Sequence, residues 1–331
     1  MGINECAFAE TADKVYCEIY RKLDIFGNVV FGRNGETKEL THVCMSIDNP
    51  LQRWVVSRKP MISPAFAIAE LIMIMNGSDE AELLNVWNPG LPRYQGNYSR
   101  YPGAYGKRLR YSFGFDQLNR AYDALKNNPA SRQVVLTIWA PDIDLPKNNG
   151  KPNNDDIPCN ISSMLKVRDG KLLWTQIMRS NDIVFGLPYN ILQFTYLQEI
   201  MAGWLNIEAG QYMHISDSLH MYANNKCEID DGKYVYSNTD HLNLEKEESD
   251  KVFRELYVRM KELSCKQYDE RHIIRSIEQR SLPEAYHNML ILLCEYIAYR
   301  NKRNTEIISC CEQNSTNALY QYMMRKWIEK S

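Results

Sequence analysis

Cys159 lies between Pro158 and Asn160, directly after a polar loop. Further on the chain reads Met178-Arg179-Ser180-Asn181-Asp182 and then Leu187-Pro188-Tyr189-Asn190. A cysteine thiolate is an intrinsically strong nucleophile. A guanidinium beside a hydroxyl matches the oxygens of a phosphate. A carboxamide can donate to a carbonyl and accept from a ring N–H, which is the edge that uracil presents. Glu70 is the single carboxylate in the apolar run Ala69-Glu70-Leu71-Ile72-Met73-Ile74-Met75. Burying an unpaired charge is costly, so Glu70 should be partnered or functional. These are the parts needed for chemistry at C5 of a pyrimidine. A thiolate adding to C6 turns C5 into a carbon nucleophile, and acid–base groups then move the protons. Each residue alone has a plainer reading: a buried apolar thiol, a surface ion pair, a helix N-cap, a structural carboxylate.

Composition sets the frame for these parts. The chain has 331 residues, 44% hydrophobic and 24% charged, with a net charge of −2. That is ordinary for a globular protein and argues against a dedicated nucleic-acid binder. Nine scattered cysteines without a CxxC pair, behind a start lacking a basic and apolar leader, fit a reducing cytoplasm. No apolar run is long enough to span a bilayer, and no Cys/His spacing indicates a metal site.

Several elements must hold the parts in place. Residues 10–23 read as an amphipathic helix with Thr11 or Asp13 as cap. Residues 39–47 read as a strand, and 64–75 as an apolar helix stopped by Asn76-Gly77. Residues 88–106 form a long ordered loop, 115–126 a helix and 133–139 a buried strand. Residues 141–157, with four Asn, four Asp and three Pro, are a polar loop leading to Cys159. Runs 162–167 and 171–178 form a hairpin around Arg168-Asp169-Gly170, and 190–204 a long helix. Beyond residue 250 three further helices are expected, at 252–263, 283–300 and 316–330.

In this order the stretches resemble the core of the thymidylate synthase and deoxycytidylate (pyrimidine nucleotide) hydroxymethylase superfamily, over roughly residues 15–250. The resemblance implies an α/β (α+β) three-layer fold with a large mixed, mainly antiparallel sheet. Residues 1–255 would form the catalytic domain and 256–331 a helical C-terminal extension packed on it. It also implies 5,10-methylenetetrahydrofolate as co-substrate, with no metal, and a pyrimidine nucleoside monophosphate as substrate. Cys159 matches the nucleophile, Glu70 the carboxylate that organises proton transfer, Tyr105 the tyrosine near C5, and Asn190 the ring reader. Arg33, Arg132, Arg179 and Ser180 match the phosphate site, and His220 and Tyr222 the pair on the sugar hydroxyl. Trp87, Asp182 and Gly186 match the folate-facing residues. The arginine matching Arg132 comes from the neighbouring subunit, so a homodimer is implied.

Three departures stand out. Gln133 follows Arg132 where the family has a second arginine, and Asn160 follows Cys159 where a synthase has histidine. The segment Tyr320-Gln321-Tyr322-Met323-Met324-Arg325-Lys326-Trp327-Ile328-Glu329-Lys330-Ser331 has no counterpart of the tail that closes over folate in synthases. Water reaching the exocyclic methylene gives a hydroxymethyl product, whereas hydride from folate gives methyl. Asn190 and the Leu-Pro-Tyr-Asn run favour a uracil nucleotide and a synthase-like methyl product, with 5-hydroxymethylation of dUMP, dCMP or a ribonucleotide as the alternative. A nucleotide-binding relative without catalysis is the reading from another class.

Overall fold

A computed structural model describes residues 5–32, 35–230, 236–265, 269–301 and 304–329. The strands are β1 (Cys6–Ala9), β2 (Asn28–Gly32), β3 (Gly35–Ile47), β4 (Arg58–Lys59) and β5 (Val135–Thr137). They continue as β6 (Asn160–Arg168), β7 (Lys171–Met178), β8 (Asn181–Asp182), β9 (Glu208–Tyr222) and β10 (Glu228–Ile229). The first helices are α1 (Ala12–Phe26), α2 (Pro64–Asn76), α3 (Ala81–Trp87), α4 (Pro92–Gln95), α5 (Tyr105–Lys107), α6 (Gln117–Asn127) and α7 (Pro141–Asp144). They are followed by α8 (Leu187–Trp204), α9 (Lys246–Ser264), α10 (Glu270–Glu278), α11 (Glu284–Arg300), α12 (Thr305–Asn314) and α13 (Ala318–Ile328).

Alternation along β7 shows how the sheet divides its faces. Leu172, Trp174, Gln176 and Met178 are buried, while Leu173, Thr175 and Ile177 on the other face are only half-buried. The sheet runs β1-β3-β9-β7-β6-β5, with β2 added to β3 and β8 to β9. The β2/β3, β3/β9, β5/β6 and β6/β7 pairs are antiparallel, and β1/β3, β7/β9 and β8/β9 are parallel. The sheet is therefore mixed, with antiparallel pairs in the majority. Asp169 (φ 49°) and Gly170 (φ 71°) both take the left-handed conformation that a two-residue turn needs between β6 and β7.

Helices α1 and α8 pack on the sheet. α2 lies over α8, α9 packs on both, and α11 packs against α2, α9 and α12. α2 is well specified locally. Ser63 accepts from the Phe66 amide, Pro64 occupies the first turn, and Gly77 at φ 64° closes the end. Its face toward α8, α9 and α11 is apolar almost throughout, as expected of a helix enclosed on all sides.

The structure differs from the sequence expectations in identifiable places. The run 133–139 yields only the three-residue β5, with Val135 51% exposed at the edge of the sheet. The amides of Ile138 and Trp139 both converge on the Ile161 carbonyl, which ends the ladder. The loop 88–106 contains α4 and the start of α5, and α10 and α12 add to the three expected C-terminal helices. α9 runs unbroken past residue 255, and α11 contributes Met289, Leu290 and Leu293, all fully buried, to the same core as α2. Leu293→Ala should therefore lower the unfolding free energy by about 2–5 kcal/mol in a denaturant titration. A change within about 0.5 kcal/mol would show that the C-terminal helices do not share the central core.

Candidate active site

The β6–β7 hairpin brings the thiol and the guanidinium together. Asn160 pairs with Met178 across the ladder, and one step beyond it the Arg179 amide donates to the Cys159 carbonyl at 3.0 Å. The Arg179 side chain folds back over the same loop. Its Nε donates to the Pro158 carbonyl (2.9 Å) and Nη2 to the Ile157 carbonyl (3.2 Å), with Nη2 4.0 Å from Cys159 Sγ. The Trp139 ring lies 5.3 Å from the guanidinium carbon. Among the described residues no carboxylate forms an ion pair with Arg179, so its charge and Nη1 remain available to an anion.

The other walls are placed by backbone constraints. β8 pairs with the end of β9, setting Asp182 opposite His220, whose ring meets Tyr222 edge-on at 5.3 Å. Asp182 Oδ1 accepts from the Val184 and Phe185 amides. Gly186 follows where an added Cβ would lie 2.9 Å from the Asp182 carbonyl. Gly106 sits so close to α2 that a Cβ would approach Ile74 Cα to 2.7 Å, and this contact seats Tyr105 beside the helix carrying Glu70.

Glu70, Tyr105, Cys159, Arg179, Ser180, Asp182, Gly186, His220 and Tyr222 all line one open cavity of about 1440 Å³. A typical single-ligand pocket holds about 300–1,000 Å³, so there is room for a nucleotide and a second molecule. Asn190 lies just behind this wall. It is buried on α8 and donates through Nδ2 to Gln193 Oε1 at 3.1 Å, and Gln193 in turn hydrogen-bonds Glu70. Trp87 is in the core with its ring 5.3 Å from that of Tyr296 and is not among the cavity-lining residues. Arg132 is exposed and away from the lining, and Arg33 lies outside the described residues.

Burial dominates the electrostatics. It pushes the Glu70 carboxyl up to about 8, against a smaller lowering by Gln193, and Glu70 Oε2 is buried without a hydrogen-bond partner. Burial also raises the Cys159 thiol; Arg179 opposes this, while Asp156 and Asp182 reinforce it. The Tyr105 hydroxyl is raised by burial and then by the nearby Cys159, and His220 is lowered by burial against Asp182 and Glu39. Asp156, a cavity residue not singled out by the sequence, is pushed to about 6 by burial. Its signal was position, three residues before the thiol, but it is masked by a run of solvated Asp and Asn. Among the described residues no group of three or more His, Cys, Asp or Glu side chains could hold a metal ion, and all nine cysteines are free. No helix among them is long and apolar enough to cross a membrane.

A thiol and an arginine held at the strand ends of one hairpin share a cavity with a buried glutamate. The chain belongs to the thymidylate synthase family, whose profile, described as thymidylate synthase, matches residues 26–277. It is similar to a deoxyuridylate hydroxymethyltransferase of Bacillus phage SP01, with 32% identity over 220 residues covering 63% of this chain and 56% of the relative. It also resembles a deoxyuridylate hydroxymethyltransferase of Pseudomonas phage M6, with 32% identity over 175 residues, 52% of this chain and 48% of that one. A putative thymidylate synthase of Methanothermobacter marburgensis is 37% identical over 121 residues, 37% of this chain and 51% of that protein. The chain thus spans about half the length of the curated relatives it matches. The family transfers a one-carbon unit to a pyrimidine nucleotide and uses methylenetetrahydrofolate as co-substrate.

The raised Glu70 carboxyl has a stability consequence. The native state keeps a proton that the unfolded chain releases near 4.5, so its stabilising contribution is full below pH 4.5 and is lost as pH rises towards 8. Between those limits the stability of the native protein should fall relative to Glu70→Gln, measured by denaturant titration at several pH values. A constant difference across the range would mean that Glu70 ionises normally.

Proposed function

We propose that this chain transfers a one-carbon unit to C5 of a uracil nucleotide, most simply dUMP, through a Cys159 adduct at C6, and releases the 5-hydroxymethyl product. The observation that carries the reading is the arrangement of Cys159, Glu70 and Tyr105 on one cavity, with the Arg179 guanidinium 4.0 Å from the thiol and free of carboxylates among the described residues.

Arg179 and Ser180 grip the phosphate, and the same guanidinium favours the thiolate as Cys159 attacks. Asn190, behind the cavity wall beside Gln193 and Glu70, is assigned the ring edge on the family resemblance, accepting from uracil N3–H and donating to O4 once the ring is seated against that wall. Glu70, protonated at neutral pH, serves as the proton donor on the ring's carbonyl side, and Tyr105 lies near C5. His220 and Tyr222 hold the sugar hydroxyl. The remaining cavity volume, with Asp182, Gly186 and the apolar Met73, Ile74 and Leu84, takes the folate. Methylenetetrahydrofolate, when bound there, supplies the carbon.

Hydroxymethyl replaces methyl as the favoured product for two reasons. The two phage hydroxymethyltransferases are similar over longer stretches than the archaeal synthase. In addition, no described residue beyond Asn225 lines the cavity, so the C-terminal helices do not shut water out of it. The exposed position of Arg132, together with the half-buried apolar outer face of β7 and β9 (Leu173, Ile177, Met213, Ile215), supports a homodimer in which Arg132 reaches the partner's phosphate site. We read residues 256–331 as a helical buttress on the catalytic domain.

Purified protein given dUMP, dCMP, UMP and CMP with methylenetetrahydrofolate should add a hydroxymethyl group to dUMP, read by mass spectrometry. A methyl gain with dihydrofolate would instead establish synthase chemistry, and tight dUMP binding without any product would leave a binding protein. Cys159→Ala should lose the covalent 5-fluoro-dUMP adduct and lower turnover by at least about 10³-fold. Arg132→Ala and Cys159→Ala chains, each inactive, should regain activity when refolded together. Lack of complementation would place Arg132 outside the shared site.

A further inference from the structure

Besides Glu70, a second buried carboxyl opens onto the catalytic cavity. Asp156 is 7% exposed, sits three residues before Cys159 in the loop between α7 and β6, and lines the cavity with Tyr105 and Cys159. One oxygen is anchored, because Oδ2 accepts from the Gly103 amide at 2.7 Å. That approach requires glycine, since a Cβ at residue 103 would lie 2.9 Å from the Asp156 carbonyl and 3.0 Å from Oδ1. The other oxygen, Oδ1, has no hydrogen-bond partner among the described residues. The nearest cation is already committed: Arg108 forms a two-point pair with Asp144 at 2.9 and 3.1 Å. A buried carboxylate fixed through one oxygen, with the other free in a substrate cavity, has the geometry of a general base.

We propose that Asp156 is the base that takes the proton from the water adding to the exocyclic methylene of the nucleotide, and thereby directs the reaction to the hydroxymethyl product. The inference rests on the hydroxymethyl reading above. The water oxygen forms a C–O bond to the exocyclic carbon as its O–H bond breaks, and the proton passes to Asp156. The electron pair of the exocyclic double bond moves into the ring and onto O4. Its return re-forms C5=C6, breaks the C6–S bond and releases the Cys159 thiolate, which regains a proton from Asp156 or solvent. Water is the only co-reactant, and nothing is oxidised or reduced.

The two cavity carboxyls are set apart by their surroundings. Glu70 is pushed to about 8 and holds its proton at neutral pH, whereas Asp156, at about 6, has released it. The groups facing Asp156 are Arg108, which lowers it, and Asp144, which raises it. Cys159, Tyr105 and Tyr101 are the other titratable groups that feel its charge. One carboxyl is thus an acid and the other a base at the same pH.

Asp156→Asn in the full chain tests this. The variant should still trap 5-fluoro-dUMP on Cys159 with methylenetetrahydrofolate, while hydroxymethyl product from dUMP falls by about 10²-fold. Wild-type product formation should lose rate as pH drops below about 6, and the variant's residual rate should lack that acid limb. Product at the wild-type rate from a variant that forms the adduct overturns the role of Asp156 while leaving hydroxymethylation intact. A wild-type protein that yields only methylated dUMP overturns both. If the variant forms no adduct, the wild-type profile decides: an acid limb near pH 6 supports the assignment, and a flat profile from pH 5 to 7.5 overturns it.

Discussion

The rung between the Arg179 amide and the Cys159 carbonyl, at 3.0 Å, is the contact from which the cavity is built outward. It exists because β6 and β7 are joined by a two-residue turn whose register is fixed. One more or one fewer residue in that turn would move every side chain to the opposite face of the sheet. With the register set, the ends of the two strands deliver a nucleophile and a cation to the same point. The guanidinium then satisfies two loop carbonyls, so its orientation does not depend on a bound anion. Preorganisation of this kind lowers the ordering needed when substrate arrives.

Beneath that rung the sheet buries a polar network of Asn160, Ser163, Gln176, Asn181 and His214. Asn160 Oδ1 accepts from Gln176 Nε2, and Gln176 Oε1 accepts from Ser163 and Trp174. Asn181 donates to His214 Nε2, which leaves the other ring nitrogen to the Tyr212 hydroxyl, and burial drives this histidine down to about 3, so it stays neutral. Partly satisfied networks of this type are costly in a low-dielectric core. Asn160 Nδ2 finds no partner within this network, and Asn160 lowers the Tyr105 hydroxyl against the effect of burial. A synthase has histidine at this position by resemblance. The amide supplies a donor that does not titrate.

The sequence made some of this visible and hid the rest for physical reasons. α2 was legible because its cap, first-turn proline, apolar length and terminal glycine agree with one another. The hairpin was legible through its turn and alternation, and the hairpin alone predicts that Cys159 and Arg179 meet. β9, the longest strand, carries no usable alternation signal. Its core-facing positions include His214 and Ser216, while Met213 and Ile215 face outward, so the polarity pattern is inverted where the polar network lies. Trp87 reads equally well as a ligand contact or a core aromatic, and its partner Tyr296 is far along the chain. Asp156 is indistinguishable in sequence from its neighbours Asn154 and Asp155, because only the tertiary approach of Gly103 separates a buried carboxyl from a solvated one.

The contact of Trp87 with Tyr296 also explains what the C-terminal helices do for the site. α3 carries Leu84 on the cavity wall and, about one turn further on, the buried Trp87. Trp87 packs on Tyr296 of α11, which packs in turn on Trp327 of α13, and the Tyr296 hydroxyl donates to the Val86 carbonyl. About two turns earlier on the same face of α13, Tyr320 packs against Trp54 and its hydroxyl pairs with that of Tyr196. The last described helix is therefore held by aromatic packing behind the cavity wall. A segment held in the core in this way braces α3 from behind, so the aromatic contacts of α11 and α13 and the Tyr296 hydroxyl bond to Val86 fix the helix that carries Leu84 on the cavity wall.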